Sequence, residues 1–519
     1  MGTKKKEDKP LIVIASNRGP FSFSQEGDSG FEVKRGAGGL VTALTALAER
    51  HEVLWVAATM TDGDREWNQK NKGETQNVEG INLKLVEPDS KSYEGYYNVI
   101  ANPLLWFIQH QLWDIPRTPS ISEETWNGWE EGYKPVNELF AKAIAKSVEG
   151  VDRPIIVLPQ DYHLYMVPHY LRKQMGERVQ IQPFIHIPWP GPDAWRILPS
   201  QMRNALLSSL LESNRVGFQT KKDAFNFVQT SRFYLDGAHS RGRRDGIDYR
   251  GRDVAALSYP ISIDVEQLKE MAEEPVTQLE KSQLINFAGD RALILRVDRI
   301  EPSKNNLRGF QAYRTLLENH PEHRGNVQML ALLVPSRMKV GAYQDYLRDI
   351  MAEAGLINAQ YSDPFWEPVR IVLGDNYRRA IAAMQLYDLL LVNPIADGMN
   401  LVAKEGVIVN NKDGVLLLSE YAGAFYELGE HALTVSPFDV YGTAEMMHKA
   451  LTMPLEERKK RAQNLRTLVT EADVRDWFNA QVEDALRAAS NQSKNSSTSA
   501  TPEAKKSASA STSAGTSSD

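Results

Sequence analysis

The chain has 519 residues, 42% hydrophobic and 24% charged, with a net charge of −7 and no cysteine. That is a globular composition, long enough for two domains, and it excludes a disulfide scaffold, a thiolate metal site, a thiol nucleophile and a nucleic-acid surface. No apolar stretch reaches the roughly 18 residues of a membrane helix and residues 1–9 lack a signal-peptide core, so a cytoplasmic protein without membrane contact is expected.

Apolar strand-like runs alternate with amphipathic helical stretches twice over. Strands are expected at residues 11–15, 53–57, 154–158, 182–186 and 216–218, then at 292–296, 328–334, 369–373, 387–392, 414–418 and 432–435. This alternation predicts an α/β fold of two doubly wound, Rossmann-like domains facing a central cleft. The expected divisions are a flexible N-terminus at 1–9, one domain at 10–260, a second at 261–489 whose last helix packs back on the first, and a disordered Ser/Ala-rich tail at 490–519.

Motifs follow in chain order. Gly36-Ala37-Gly38-Gly39-Leu40 precedes a helical run from Val41, a glycine loop able to approach a phosphate, but it lacks the full dinucleotide fingerprint, so no nicotinamide cofactor is expected. Asp62-Gly63-Asp64 has a metal-ligand form but is expected in an unsupported polar loop. Asp161 and His186 each end or follow a strand and are placed to meet at the sheet edge; without a nucleophile-elbow serine they make no hydrolytic triad. Residues 237–253 mix Arg, Gly and Asp and are expected to form an exposed hairpin. Arg299 and Lys304, five residues apart after a strand, are suited to converge on a pyrophosphate. The block Asp397-Gly398-Met399-Asn400-Leu401-Val402-Ala403-Lys404-Glu405 joins a strand to a helix over 403–409, which makes an anion site flanked by two carboxylates.

With Ser16-Asn17-Arg18, Gly38-Gly39-Leu40, Tyr96-Tyr97-Asn98 and Trp106, Asp161-Tyr162-His163-Leu164, His186-Ile187-Pro188 and Gly217-Phe218-Gln219-Thr220, these motifs carry a family resemblance over residues 11–482. The chain resembles the trehalose-6-phosphate synthases, retaining glycosyltransferases of family 20 with GT-B architecture. The resemblance implies a hexosyltransferase that moves glucose from a nucleotide-glucose donor, UDP-glucose foremost, to glucose 6-phosphate. It makes the first domain the acceptor domain and the second the nucleotide-sugar domain. The implied catalytic residues are Asp161, His186, Arg299, Lys304 and Asp397. The implied donor residues are Gly39, Arg299, Lys304, Leu401 and Val402 at the pyrophosphate, Glu405 at the ribose, and His186, Asp397, Gly398, Met399 and Asn400 around the glucose. On the acceptor side, Arg18 and Arg337 hold the phosphate, Tyr97 and Trp106 line the pocket, and Asp161 lies beside the attacking hydroxyl. No cofactor and no metal are expected, because Arg299, Lys304 and the helix N-terminus neutralise the departing diphosphate. A trehalose-phosphate phosphatase acting downstream and a homo-oligomer complete the expected partners.

Departures concern the acceptor side. Gln160 stands where the family usually has His, Asn305 where it has Gly, and residues 56–59 lack the tryptophan of many members. Trp189, the 195–199 segment, Pro302 and Asn305 resemble the validoxylamine-phosphate synthases, whereas the intact donor block favours glucose. A glucosylglycerol-phosphate-type acceptor, a GDP or ADP donor, and a catalytically inactive regulatory homologue stay open.

Overall fold

The computed structural model describes residues 9–26, 30–36, 51–240, 245–338, 340–472 and 474–498. Gly39 and the helical run from Val41 lie outside them. The first half opens with β1 (Leu11–Ser16), a hairpin of β2 (Phe21–Glu26) and β3 (Gly30–Arg35), then β4 (Val53–Ala58), β5 (Gln76–Val78), β6 (Ile81–Val86), β7 (Ile155–Pro159) and β8 (Val179–Ile181). Its main sheet runs β5-β6-β4-β1-β7-β8 and is parallel except for the β5–β6 pair. β1 and β4 are buried at every residue, which is why they read as unbroken apolar runs.

The single strand expected at 182–186 is instead an interruption. β8 pairs with β7, and after Pro183 the chain forms β9 (Phe184–Ile185), which pairs with β10 (Arg215–Phe218). Proline lacks the N–H needed by a central strand and breaks the ladder there. Beyond β10, β12 (Arg252–Ser258) and its antiparallel neighbour β11 (Gly246–Tyr249) complete a second, four-stranded sheet. The hairpin expected at 237–253 is exposed at Gly237, His239 and Asp245, at the turn Arg250–Gly251 and at Asp253, but β11 itself is buried throughout, packed at the sheet edge.

The second half carries β13 (Ala292–Ile300), β14 (Val327–Pro335), β15 (Val369–Leu373), β16 (Leu389–Val392), β17 (Val415–Ser419) and β18 (Leu433–Val435), all parallel, in the order β15-β14-β13-β16-β17-β18. This is the 3-2-1-4-5-6 order of a dinucleotide-binding fold, whose ligand crevice opens where the order reverses, between β13 and β16. In the first half the corresponding reversal lies between β1 and β7.

The two halves meet in one core. Phe184 of β9 and the His186 ring pack against Trp477 of the last helix, at 5.1 and 5.9 Å, and Tyr259 donates to Asp484 at 2.8 Å. That helix, Val474–Thr498, runs past the expected boundary at 489. Between the halves, the Ile261 N–H is accepted by Gln219 at 2.9 Å, and its C=O accepts from the buried Lys404 ammonium at 2.8 Å. Among the described residues no helix is long and apolar enough to cross a membrane.

Candidate active site

The reversal point of the second sheet is built before any ligand arrives. Arg296 of β13, fully buried, donates to Asp298 at 2.8 Å, to the Lys304 carbonyl at 2.6 Å and to Asn393 at 2.7 Å, so one guanidinium ties the loop after β13 to the loop after β16. Asn305 adds bonds to the Asn393 and Pro437 carbonyls at 3.0 and 2.7 Å. Its backbone is left-handed, φ 59° and ψ 36°. That explains Asn where the family uses Gly: Asn is among the few other residues that tolerate this region, and here its amide gains two partners.

Across the reversal, Lys304 pairs with Asp397, and Asn400 donates to the same carboxylate at 3.0 Å. Asn400, with φ 80°, also caps the helix Leu401–Val409 by accepting from Ala403 at 3.3 Å, so the helix starts two residues before the expected 403. The first-turn amides of Leu401 and Val402 have no intrahelical acceptor and face outward with the helix dipole behind them. Burial alone would raise the Asp397 carboxyl; the Lys304 ammonium, with His110 and the Asn400 amide, outweighs it and holds the group below the usual range. Glu405, a turn further on, accepts from Tyr377 at 2.9 Å and is pushed upward by burial.

Sequence reasoning missed Glu301. It is fully buried, yet it stays ionised below the ordinary carboxylate range: burial opposes this, and Arg299, Arg337 and Lys304 prevail. Arg299 reaches it at 3.1 Å while remaining half-exposed to the cleft, and Arg337 reaches its other oxygen at 3.1 Å. Arg337 crosses to the first half. It bonds Tyr343 at 2.8 Å and Tyr162 at 3.1 Å and lies 4.0 Å over the Trp106 ring. Three bonds leave two of its five N–H donors for a ligand. Trp106 is stacked on buried His110 at 4.0 Å, and Tyr97 is stacked on His163 at 5.7 Å and on Tyr93 at 5.6 Å. Arg18, just past β1, is exposed and has no side-chain partner among the described residues.

At the end of β7, Asp161 has φ 68° and ψ 176°, a conformation unusual for any residue but glycine, and its carboxylate accepts from the His186 amide at 3.2 Å. Burial pushes this carboxyl to about 7, against backbone hydrogen bonds and Arg337, which pull it down. Asp161 and His186 thus meet, but through the backbone of His186. Its ring is held elsewhere: Gln160 spends its amide N–H on Leu158 at 2.9 Å, so its oxygen faces His186 Nε2 at 2.9 Å. Gln219 spends its oxygen on Ile261, so its amide N–H faces His186 Nδ1 at 3.3 Å. These two amides require the Nε2–H tautomer, and burial lowers the ring to about 3, so it stays neutral. Gln219 was legible only as a motif member, and Gln160 only as a departure from the family motif.

The two halves touch where the chemistry converges. A Cβ on Gly398 would lie 1.7 Å from the His186 carbonyl oxygen, and one on Gly423 would lie 1.8 Å from the Gly398 carbonyl. Only glycine fits at either position. The Asp62-Gly63-Asp64 triplet is not a loop: Asp62–Lys70 is a helix capped by Thr61, and Asp64 closes the capping box, accepting from Phe23, Met60 and Thr61 at 3.0, 3.0 and 2.9 Å. Trp189 and Trp195, stacked at 4.3 Å and buried, belong to the first-half core.

Two parallel sheets meeting at their reversal points, with an anion-ready helix and paired cations on the second, define a GT-B-type glycosyltransferase. The family model for glycosyltransferase family 20 matches residues 10–487, and the chain belongs to that family. A trehalose-6-phosphate synthase of Sodalis glossinidius is 34% identical over 494 residues, covering 92% of this chain and 96% of its own length. A bifunctional trehalose-6-phosphate synthase/phosphatase of Thermoproteus tenax is 31% identical over 493 residues; they make up 92% of this chain but only 64% of that protein. A structure from E. coli bound with UDP-2-fluoro glucose aligns with a TM-score of 0.80 at 28% identity, over 92% of this chain and 98% of that one. The UDP-forming alpha,alpha-trehalose-phosphate synthase of Burkholderia xenovorans in complex with glucose-6-phosphate gives 0.79 at 26% identity, over 92% and 100%.

Proposed function

We propose that the chain transfers glucose from UDP-glucose to glucose 6-phosphate with retention, giving α,α-trehalose 6-phosphate. The observation that carries this reading is the Lys304–Asp397–Asn400 cluster at the mouth of the Leu401–Val409 helix, at the sheet's reversal point. Relatives bound with UDP-2-fluoro glucose and with glucose-6-phosphate support the two substrates.

In this reading the donor pyrophosphate lies against Arg299, Lys304 and the Leu401 and Val402 amides. Glu405 takes the ribose; Asp397, Gly398, Met399 and Asn400 surround the glucose. His186, neutral and held at both nitrogens, offers the sugar a ring edge rather than a proton. Arg18 and the two remaining donors of Arg337 take the acceptor phosphate, against the wall of Tyr97 and Trp106. As the glycosidic C–O bond breaks, its electrons go to the diphosphate, whose charge the cations and helix amides absorb without a metal ion. The acceptor hydroxyl attacks the oxocarbenium-like carbon from the same face and passes its proton to the departing phosphate. Asp161, with its carboxyl near 7, positions that hydroxyl instead of removing the proton. A phosphatase that removes the product's phosphate is the corresponding downstream partner, a pairing found within the Thermoproteus tenax relative.

The test is to incubate the protein with UDP-, GDP- and ADP-glucose against a panel of sugar phosphates and identify the product by mass and NMR. An α,α-1,1-linked disaccharide phosphate formed from UDP-glucose is expected. Hydrolysis of the donor alone, or a different linkage, overturns the reading.

A further inference from the structure

Two arginines of the cleft lean on one carboxylate. Arg299 and Arg337 lie 5.7 and 4.0 Å from the centre of the same Trp106 ring, and the transfer reading above gives the first to the donor diphosphate and the second to the acceptor phosphate. Each takes its own oxygen of Glu301, Oε1 for Arg299 and Oε2 for Arg337, both at 3.1 Å. Among the described residues no other carboxylate touches either guanidinium. His110, stacked on Trp106, adds no charge, since burial lowers its ring to about 4.

The turn that carries Glu301 is closed by its backbone. Its N–H donates to the Arg299 carbonyl at 3.0 Å and its C=O accepts from the Lys304 N–H at 3.1 Å, around the turn Pro302–Lys304. The carboxylate is left for the arginines, with Ser303 Oγ donating to Oε1 at 3.3 Å. Glu301 is 0% exposed, so no water screens it, and its charge acts on both guanidiniums and on any anion they hold. Such an anion competes with Glu301 for the guanidinium and is repelled by it. That repulsion matters when ligands leave. In the proposed transfer both products, a nucleoside diphosphate and a sugar phosphate, are anions that must escape a cleft lined by Arg18, Arg299, Lys304 and Arg337, of which Lys304 is already offset by Asp397.

We propose that Glu301 is a positioning residue acting through Arg299 and Arg337: its one buried charge is the shared counter-charge that limits how tightly both anion subsites hold their ligands, so that both products can leave. This inference rests on the transfer reading above.

Calorimetry of the full-length protein with UDP and, separately, with glucose 6-phosphate tests this. Glu301→Gln keeps the shape of the side chain and removes the charge. Its amide has one oxygen for two arginines, so Arg337 keeps it, being held by Tyr162 and Tyr343, and the half-exposed Arg299 is released toward the ligand. Both ligands should bind about tenfold tighter than to the parent. In turnover, KM for both substrates should fall and kcat should fall with them, because the products leave more slowly. Glu301→Asp restores the charge and should bring both affinities back toward those of the parent. Uridine, which carries no phosphate, should bind parent and Gln variant alike. A side chain that only held the fold would weaken binding when replaced. If circular dichroism shows that Glu301→Gln does not fold, the comparison is made in an Arg337→Met background, where one like charge is gone, and UDP should again bind tighter when Glu301 is Gln. A parent that binds neither UDP nor glucose 6-phosphate overturns the transfer reading and this inference with it. If the parent binds both, but Glu301→Gln holds them no tighter or Glu301→Asp tightens them equally, this inference alone fails.

Discussion

The two sheet-reversal points differ in how far they are finished in advance. In the second half the cations at the site have carboxylate counterparts: Lys304 has Asp397, Arg299 and Arg337 share Glu301, and Arg296, paired with Asp298, bolts both loops together. In the first half, Arg18 is exposed without a partner among the described residues, and Asp161 is pushed toward its neutral form. On the proposed reading the second half stabilises the departing diphosphate, and it gains from fixed dipoles that need no rearrangement during the reaction. If the first half admits a charged acceptor, as proposed above, it gains from leaving its cation open.

The strongest way to break this contrast is at the fixed side. Lys304→Ala and Arg299→Ala should each lower kcat by about 10²–10³, roughly 2.7–4 kcal/mol of transition-state stabilisation, measured by release of UDP at saturating substrates. Near-parental turnover in both variants would refute the assignment of the diphosphate to this pair. Next comes Gly398→Ala, whose methyl would stand 1.7 Å from the His186 carbonyl oxygen. The backbones must separate, so both kcat and Tm should fall; an unchanged Tm would mean that the halves do not close on each other as described.

On the open side, Arg18→Ala should raise KM for glucose 6-phosphate at least tenfold while leaving KM for UDP-glucose and the Tm unchanged. A matching rise in both constants would place Arg18 in the general architecture of the cleft. The smallest effect concerns Asp161. Its folded pKa, about 7, lies above the ordinary carboxylate value, so its contribution to stability is fully present below about pH 4 and is lost as pH rises through 7. The Tm of Asp161→Asn minus that of the parent should therefore grow by a few degrees between pH 4 and pH 8. A difference that stays flat with pH would show that the carboxyl ionises normally.

Much of this was legible in the sequence where apolar runs meet motifs. The strands expected at 11–15 and 53–57 are β1 and β4, and Arg299 near the end of β13 and Asp397 on the loop after β16 fall at the reversal point, because fully buried parallel strands leave an unbroken hydrophobic signature. Short or amphipathic strands such as β5, β6 and β11 left too little signal to separate from loops. The interruption at Pro183 was readable in principle, since a proline inside an apparent central strand argues against one. What no pattern shows is backbone strain. Asp161, Asn305, Arg337 and Asn400 all carry positive φ without being glycine, and all stand at the cleft. Pairing between distant segments is equally invisible: nothing in the local sequence of Glu301 announces Arg337, which comes from beyond β14.

The Ile261 peptide has a mechanical meaning. Gln219 grips its N–H from one half and Lys404 grips its C=O from the other. Any opening that keeps both bonds must turn about this peptide as a door turns on its pin. The same Gln219 holds His186, and the same Lys404 sits on the helix that follows Gly398, so the parts that must meet for transfer lie beside the pin and travel least.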